Sequence, residues 1–347
     1  MKLMMNKDVK ILKSNFYNYL FNKNNGTFIR WGRNKNDDPE FSPFGPEILD
    51  IEVSNICSKA CSWCYKSNTA KGTYMTFTTF KKMFDKFPKM LTQIAFGIGD
   101  IDGNPDLYKI MKYCRDNKVI PNITINGERM TDYHYDKLVE LCGAVAVSHY
   151  DDKTCFNAVQ ELTKRGLKQV NIHKLLANET YEDCFKLIDK TKTDERLKSL
   201  NAIVFLWLKP KGLRNHFTQL SSLKQYKKLV DYAFDENARI GFDSCSAANF
   251  IKVIKDKDNF AEIEPMVEPC ESSAFSFYIN SDGIGFPCSF TEGEQYKGID
   301  TVNCKNFIED VWFGKEVTVF RDKLLSNKDC NGCRKCQAFD LELEEIK

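Results

Sequence analysis

From residue 48 onward, apolar and polar positions follow two alternating rhythms. Short runs rich in Ile, Val, Leu and Phe lie at Ile48–Ser54, Gln93–Gly99, Pro121–Asn126, Gly143–His149, Gln169–Leu176 and Leu200–Leu208. Runs of this length and type predict strands. Between them the apolar residues recur at helical spacing: Phe80, Met83, Phe84 and Phe87 stand at i, i+3, i+4 and i+7, which lines one face of a helix. Similar patterns cover Pro105–Asn117, Thr131–Cys142, Lys153–Arg165, Tyr181–Lys192 and Leu220–Glu236, with Thr131 and Asp152 as start signals and Gly166 as a stop. Six consecutive βα units predict a parallel α/β sheet, because each right-handed crossover returns the chain to the same edge. The sheet is either open and doubly wound or an incompletely closed barrel. In both, functional groups gather at the carboxyl ends of the strands.

The flanks read differently. Residues 1–45 are rich in Lys, Asn and aromatics and predict a short helical or irregular lead-in. After residue 240 helical periodicity fades, and Cys245, Cys270, Cys288, Cys330, Cys333 and Cys336 accumulate. A loop-rich segment with so thin a core needs a metal or disulfide staple. The expected domains are therefore residues 1–45, 46–240 and 241–347.

Composition narrows the function. The 347 residues suit two domains of the usual ~150 residues. Fifty Lys and Arg against 48 Asp and Glu leave a net charge of +2, which gives no field for nucleic acid or an anionic membrane. The longest apolar run, Ala202 to Leu208, is far too short to span a bilayer, and the N-terminus has no signal-peptide core. A soluble cytoplasmic protein is expected. Its 14 cysteines then point to metal or redox chemistry, since cytosolic thiols are kept reduced.

Directly after the first strand, Cys57, Cys61, Cys64 and Tyr65 form a Cys-x3-Cys-x2-Cys-aromatic loop. Three thiolates leave a zinc ion one ligand short. They leave one iron of a four-iron cluster without a protein ligand, open to a small molecule. On a loop that follows strand one of a βα array, these residues resemble the signature of the radical S-adenosylmethionine (SAM) enzymes. The resemblance implies a partial (β/α)6 TIM-like barrel with a small Cys-rich α+β extension. It also implies a [4Fe-4S] cluster whose open iron binds SAM, reductive cleavage to a 5′-deoxyadenosyl radical, and a flavodoxin- or ferredoxin-type reductant. Further family positions map onto the strand ends. Gly97, Gly99 and Asp100 stand where the family usually has Gly-Gly-Glu-Pro, with a shorter carboxylate and an insertion before Asn104-Pro105. Asn126-Gly127 resembles the Thr-Asn-Gly of strand three, and Ser148 stands where a polar side chain often meets the SAM ribose. Tyr65, Gly97, Gly99, Asp100, Asn126 and Ser148 are the SAM-binding candidates so implied. Gly97, Gly99 and Asn126-Gly127 are also ordinary turn residues, and His149 and Asp243 are candidates for substrate-side acid or base by position alone.

Cys270, Gly283 and Cys288 resemble the Cys-x(9–15)-Gly-x4-Cys hairpin of the SPASM and twitch extensions. An Asp282-Gly283 turn would bring the two thiols to one side. Cys330, Cys333 and Cys336 follow, and the resemblance implies one auxiliary [4Fe-4S] cluster held by Cys270, Cys288 and two of these three, with Cys245 as a substitute ligand. A zinc ribbon is the alternative, because Cys-x2-Cys pairs also bind zinc. Cys114, Cys142, Cys155 and Cys184 read as small buried hydrophobes, and Cys304 has no partner spacing. Enzymes with such extensions mostly modify ribosomally made peptides or proteins, by crosslinking, epimerisation or oxidation. A small-molecule radical dehydrogenase is second, and a zinc-binding interaction module comes from another class. Ser289, where sulfatase-maturing relatives have Asp, argues against that reaction. Lys209, Lys211 and Arg214 on the rim after strand six read as either a carboxylate-binding cluster or a solvated basic loop.

Overall fold

The computed structural model describes residues 1–34, 37–293, 296–326 and 334–343. The lead-in is not helical. Strands β1 (Lys2–Met5), β2 (Val9–Lys13), β3 (Asn18–Asn22) and β4 (Phe28–Trp31) form a four-stranded antiparallel sheet. Tyr17, Tyr19 and Phe21 alternate with period two, and that face, with Leu12, packs on Met90, Ile120 and Phe275 at the foot of the main sheet. The period was present beneath the Lys/Asn composition and outweighs it. Arg30 fastens the sheet: it pairs with Glu47 at 2.6 Å and Glu271 at 3.0 Å, and its guanidinium lies 3.5 Å from the Phe275 ring centroid.

The predicted strands form. Strands β5 (Ile48–Ser54), β6 (Gln93–Ile98), β7 (Ile120–Ile125), β8 (Val145–Ser148), β9 (Val170–Leu176), β10 (Ala202–Trp207) and β11 (Ile240–Phe242) run parallel. Helices α1 (Phe77–Phe84), α2 (Leu107–Asp116), α3 (Asp132–Leu141), α4 (Asp152–Lys164), α5 (Tyr181–Thr193) and α6 (Leu223–Asp235) connect them. The architecture is an α/β fold with a mostly parallel sheet, a partial TIM-like barrel. Helix starts follow side-chain chemistry: Asp151, one residue before the expected Asp152, caps α4 by accepting from Thr154 N at 2.8 Å.

The sheet continues past residue 240. Strand β12 (Ser276–Ile279) lies parallel to β5, and β13 (Ile284–Phe286) and β14 (Ile299–Asp300) extend it antiparallel, giving the order β11-β10-β9-β8-β7-β6-β5-β12-β13-β14. The β12–β13 hairpin turns at Gly283, whose φ of +78° suits glycine. Helices also return, at Ala247–Ile254 and Lys315–Ser326, each with buried apolar residues that a fading periodicity had not announced.

Strand alternation divides the sheet. On β9, Val170, Ile172 and Leu176 are buried against the helices, whereas Asn171 and His173 face the more open concave side. The register places Glu52, Gly97, Thr124, Ala146 and Asn171 side by side across that concave face. Gly97 and Ala146 take little room there, so the interior stays accessible.

Candidate functional site

The Cys57–Cys64 loop starts three residues past β5 and is shaped by its own backbone. Cys57 N donates to Thr69 O at 2.9 Å, and Cys64 N to Cys61 O at 3.2 Å. Ala60 and Ser67 adopt left-handed φ values of 43° and 54°. Burial raises the Cys61 thiol, and Cys57 and Cys64 add to this while Lys59 opposes it, so the three sulfurs share one neighbourhood. Gly99 sets how closely the loop approaches. A Cβ there would lie 2.1 Å from Ile56 O and 2.7 Å from Cys57 Cβ. At Gly97 the nearest atom to a Cβ, Glu52 Cα, is 3.7 Å away, an ordinary contact.

Asp100 is a member of this scaffold. It is 2% exposed. Its Oδ2 accepts from Ser58 N at 2.8 Å and from Arg129 at 3.3 Å, and its Oδ1 accepts from Asn126 Nδ2 at 3.3 Å. Asn126 also donates to Gly99 O at 3.1 Å and accepts from Glu128 N at 2.9 Å. Asp100 therefore grips the cysteine loop at Ser58, and Asn126 braces Asp100 from behind. Ser148 faces the concave side, where it pairs in register with His173 of β9. His149, one residue on, turns to the opposite face: Nε2 meets Asp152 at 2.9 Å and Nδ1 meets the buried Lys174 at 3.3 Å. Burial first, then Lys174, lowers its pKa.

Aromatic side chains enclose the loop. Trp63 stacks on Phe217 at 4.9 Å and lies 6.1 Å from Tyr150. Tyr65 packs on Phe290 with ring centroids 4.5 Å apart. Tyr65 thus ties the first cysteine loop to the segment that follows Cys288.

The basic segment after β10 is neither a free carboxylate site nor a solvated loop. Lys209 pairs with Asp243, Lys211 donates to the carbonyls of Phe290 and Glu292, and Arg214 to those of Asn68 (2.9 Å) and Ser67 (3.3 Å). Each cation is spent on a protein acceptor, so the segment works as a strap. It crosses the cysteine loop at Gly212, where a Cβ would fall 2.3 Å from Cys64 O and φ is +108°.

Four cysteines meet at a second place. Cys245 lies in a short turn just past β11, Cys270 before β12, Cys288 after β13 and Cys336 near the C-terminus. Burial raises the Cys245 and Cys270 thiols and pushes Cys288 up to about 12; Cys336 contributes to all three, and Cys270 to Cys245 and Cys288. The turn after Cys288 is closed by Thr291, whose N–H donates to Cys288 O at 3.1 Å and whose Oγ1 donates to the same carbonyl at 2.7 Å. The thiols that influence one another here are the ones the sequence pattern of this region singled out, together with Cys245. Cys330 and Cys333 lie outside the described residues. Among the described residues no three His, Cys, Asp or Glu side chains stand close enough to share one metal ion. Cys114, Cys142, Cys155 and Cys184 are buried on helices or at their ends. Cys304 donates to Thr301 O at 3.2 Å.

Three residues of the concave face were missed in the sequence: Asp50, Glu52 and His173. Their signal was parity, since each alternates with apolar strand residues. Asp50 is exposed on the concave side, and the protein walls around it raise its carboxyl to about 6. His173 is held neutral by burial, which lowers its pKa to about 4 against some support from Asp243. Below an unfolded value of about 6.5, the unfolded chain binds a proton that the folded chain refuses until about pH 4. His173 should thus contribute stability above pH 6.5 that is lost as pH falls through 4, on the order of 3 kcal/mol. Denaturant midpoints from pH 7 to 4 should decline less steeply in His173→Gln than in wild type.

The fold and site define one class: a partial α/β barrel whose first loop presents three grouped thiols at the strand ends. Residues 51–192 match the family model described as the Radical SAM superfamily. Solved structures agree on the fold. Streptococcus suis SuiB superposes with a TM-score of 0.68 at 14% identity, covering 92% of this chain and 90% of that one. SuiB bound to precursor peptide SuiA gives 0.67 at 14%, covering 91% and 89%. The native anSMEcpe structure with bound AdoMet and Cp18Cys peptide gives 0.56 at 17%, covering 82% and 86%. No curated protein matches the chain. Among the described residues no helix is long and apolar enough to cross a membrane.

Proposed function

We propose that this chain is a cytoplasmic radical SAM enzyme that modifies a ribosomally made peptide or protein. The observation that carries the reading is the Cys57, Cys61 and Cys64 loop, seated on Gly99 and Asp100 inside the segment that matches the radical SAM model. When bound, a reduced four-iron cluster supplies the electron that cleaves SAM and so yields a hydrogen-abstracting radical. Cys57, Cys61 and Cys64 would hold it. Asp100 and Asn126 keep the loop in place, and Trp63, Phe217 and Tyr150 shield it from water. Tyr65, Gly97, Gly99 and Ser148 stand on the side where SAM would lie.

A peptide substrate is supported by the neighbours whose structures hold one, the SuiA precursor in SuiB and the Cp18Cys peptide in anSMEcpe. The concave face, where Asp50 is exposed, gives a substrate side chain room to reach the reactive centre. Cys245, Cys270, Cys288 and Cys336 form the ligand set of one auxiliary [4Fe-4S] cluster, and a flavodoxin or ferredoxin serves as reductant.

The test is anaerobic iron and sulfide analysis after reconstitution, with a dithionite assay for 5′-deoxyadenosine. About eight irons are expected in wild type and about four in Cys57/Cys61/Cys64→Ala, with deoxyadenosine from wild type only. Stoichiometric zinc without iron or deoxyadenosine would overturn the enzyme reading. Four irons in wild type that vanish in the variant would remove the auxiliary cluster.

A further inference from the structure

We propose that a cavity on the helix side of the sheet, where the ends of β8 and β9 meet α4 and α5, binds a phosphoryl group, with Lys174 as its buried cation. Lys174 occupies a position where an apolar residue belongs. It shares the helix-facing side of β9 with Val170, Ile172 and Leu176, and it is 5% exposed. Burying an ammonium is costly unless an anion or a set of acceptors replaces the lost water. Among the described residues Lys174 has neither: its Nζ donates to His149 Nδ1 at 3.3 Å and forms no ion pair. An ammonium carries three N–H donors, so the others are left without a protein acceptor. The side chain lines a cavity of about 250 Å³, together with His149, Asp152, Asp183, Lys186 and Lys190.

The carboxylates around that cavity are already engaged. Because His149 Nδ1 accepts from Lys174, Nε2 carries the ring proton and donates to Asp152 Oδ1 at 2.9 Å. Asp152 also pairs with Lys190, and Asp183 with Lys186 at 2.9 Å. Asp151 borders the cavity too, but it caps α4 by accepting from Thr154 N at 2.8 Å. Among the described residues Lys174 is thus the one lysine of the lining without an anion. A ligand that completes the site must be an anion with several acceptor oxygens. Lys186 and Lys190 stand one turn apart on α5, 66% and 39% exposed, so both are free to swing from their aspartates onto an incoming ligand. A phosphoryl group meets these demands, with nearly two negative charges and three acceptor oxygens for three ammonium groups. The site lies on the opposite side of β8 from Ser148 and involves neither set of cysteines.

The test is calorimetric titration of the full chain with inorganic phosphate and with glycerol 1-phosphate, at an ionic strength held constant with chloride. Saturable binding of at least one probe is expected, and the tighter of the two tells free phosphate from a phosphate ester. Lys174→Met should weaken that binding about tenfold or more, since it removes the buried charge. Asp183→Asn, which takes a carboxylate from the rim, should tighten it severalfold. Phosphate should also raise the denaturant midpoint of wild type and not that of Lys174→Met. Failure of both probes to bind, or equal affinity in wild type and Lys174→Met, overturns the proposal. An Asp183→Asn protein that binds no tighter places the anion elsewhere and overturns it too. Should Lys174→Met not fold, Lys186→Gln/Lys190→Gln decides: an unchanged affinity with both rim cations gone overturns the site.

Discussion

Gly99→Ala is expected to abolish 5′-deoxyadenosine formation and to halve the bound iron, from about eight to about four per chain. One methyl group causes this. A Cβ at residue 99 would sit 2.1 Å from Ile56 O and 2.7 Å from Cys57 Cβ, closer than such atoms approach in folded chains. Neither neighbour is the free end of a flexible side chain. Ile56 O also accepts from Asp100 N at 2.8 Å, so moving it breaks the contact that seats the loop. Cys57 would be displaced from Cys61 and Cys64, and a cluster that needs all three thiolates would not load. Gly97→Ala is the control, with 3.7 Å to its nearest neighbour, and should keep its full complement of iron. Equal losses in both variants would mean that the glycines serve the strand rather than the loop.

The second large effect is on stability. Lys66 lies between two acids: it pairs with Glu292, stands 3.4 Å from Glu52 and donates to the Tyr278 hydroxyl at 2.7 Å. Lys66 and Glu52 side chains are 11% and 8% exposed, so water screens little of this charge. Burial raises the Glu52 carboxyl, whereas Glu292 is held below its usual range because the bonds from Asn280, Lys66 and Tyr278 outweigh its burial. Lys66→Met would leave two acids facing each other without a cation. A loss of about 3–5 kcal/mol is expected in anaerobic denaturant unfolding, the cost of stranding a buried charge. Adding Glu52→Gln should recover much of it, because one uncompensated charge disappears. A Lys66→Met change below about 0.5 kcal/mol would show the network to be solvated.

The barrel was legible because strand and helix periods differ and alternate with little ambiguity between residues 48 and 236. Cys57, Cys61 and Cys64 were legible because cysteines this close in the chain leave a spacing. The four-strand sheet at the N-terminus was hidden by its Lys and Asn content, although Tyr17, Tyr19 and Phe21 carried its period. Cys245 was named only as a substitute, since no spacing links it to Cys270. What brings it near Cys270 and Cys336 is the end of β11, a short strand with no strong pattern. The roles of Lys209, Lys211 and Arg214 were illegible for a similar reason. Their acceptors lie far along the chain, and charge alone does not reveal a partner.

The sheet order has a mechanical meaning. A partial barrel has two lips, here the β11 side and the β12–β14 side, and among the described residues no strand closes the gap between them. Cys245 stands on one lip and Cys270 and Cys288 on the other, while Lys211 reaches across to the carbonyls of Phe290 and Glu292. The auxiliary cluster proposed for those thiols would act as a clasp across that gap. Its loss would let the lips part, so oxidative damage at the second site would be felt as a slackened cavity around the substrate even where the first site is intact.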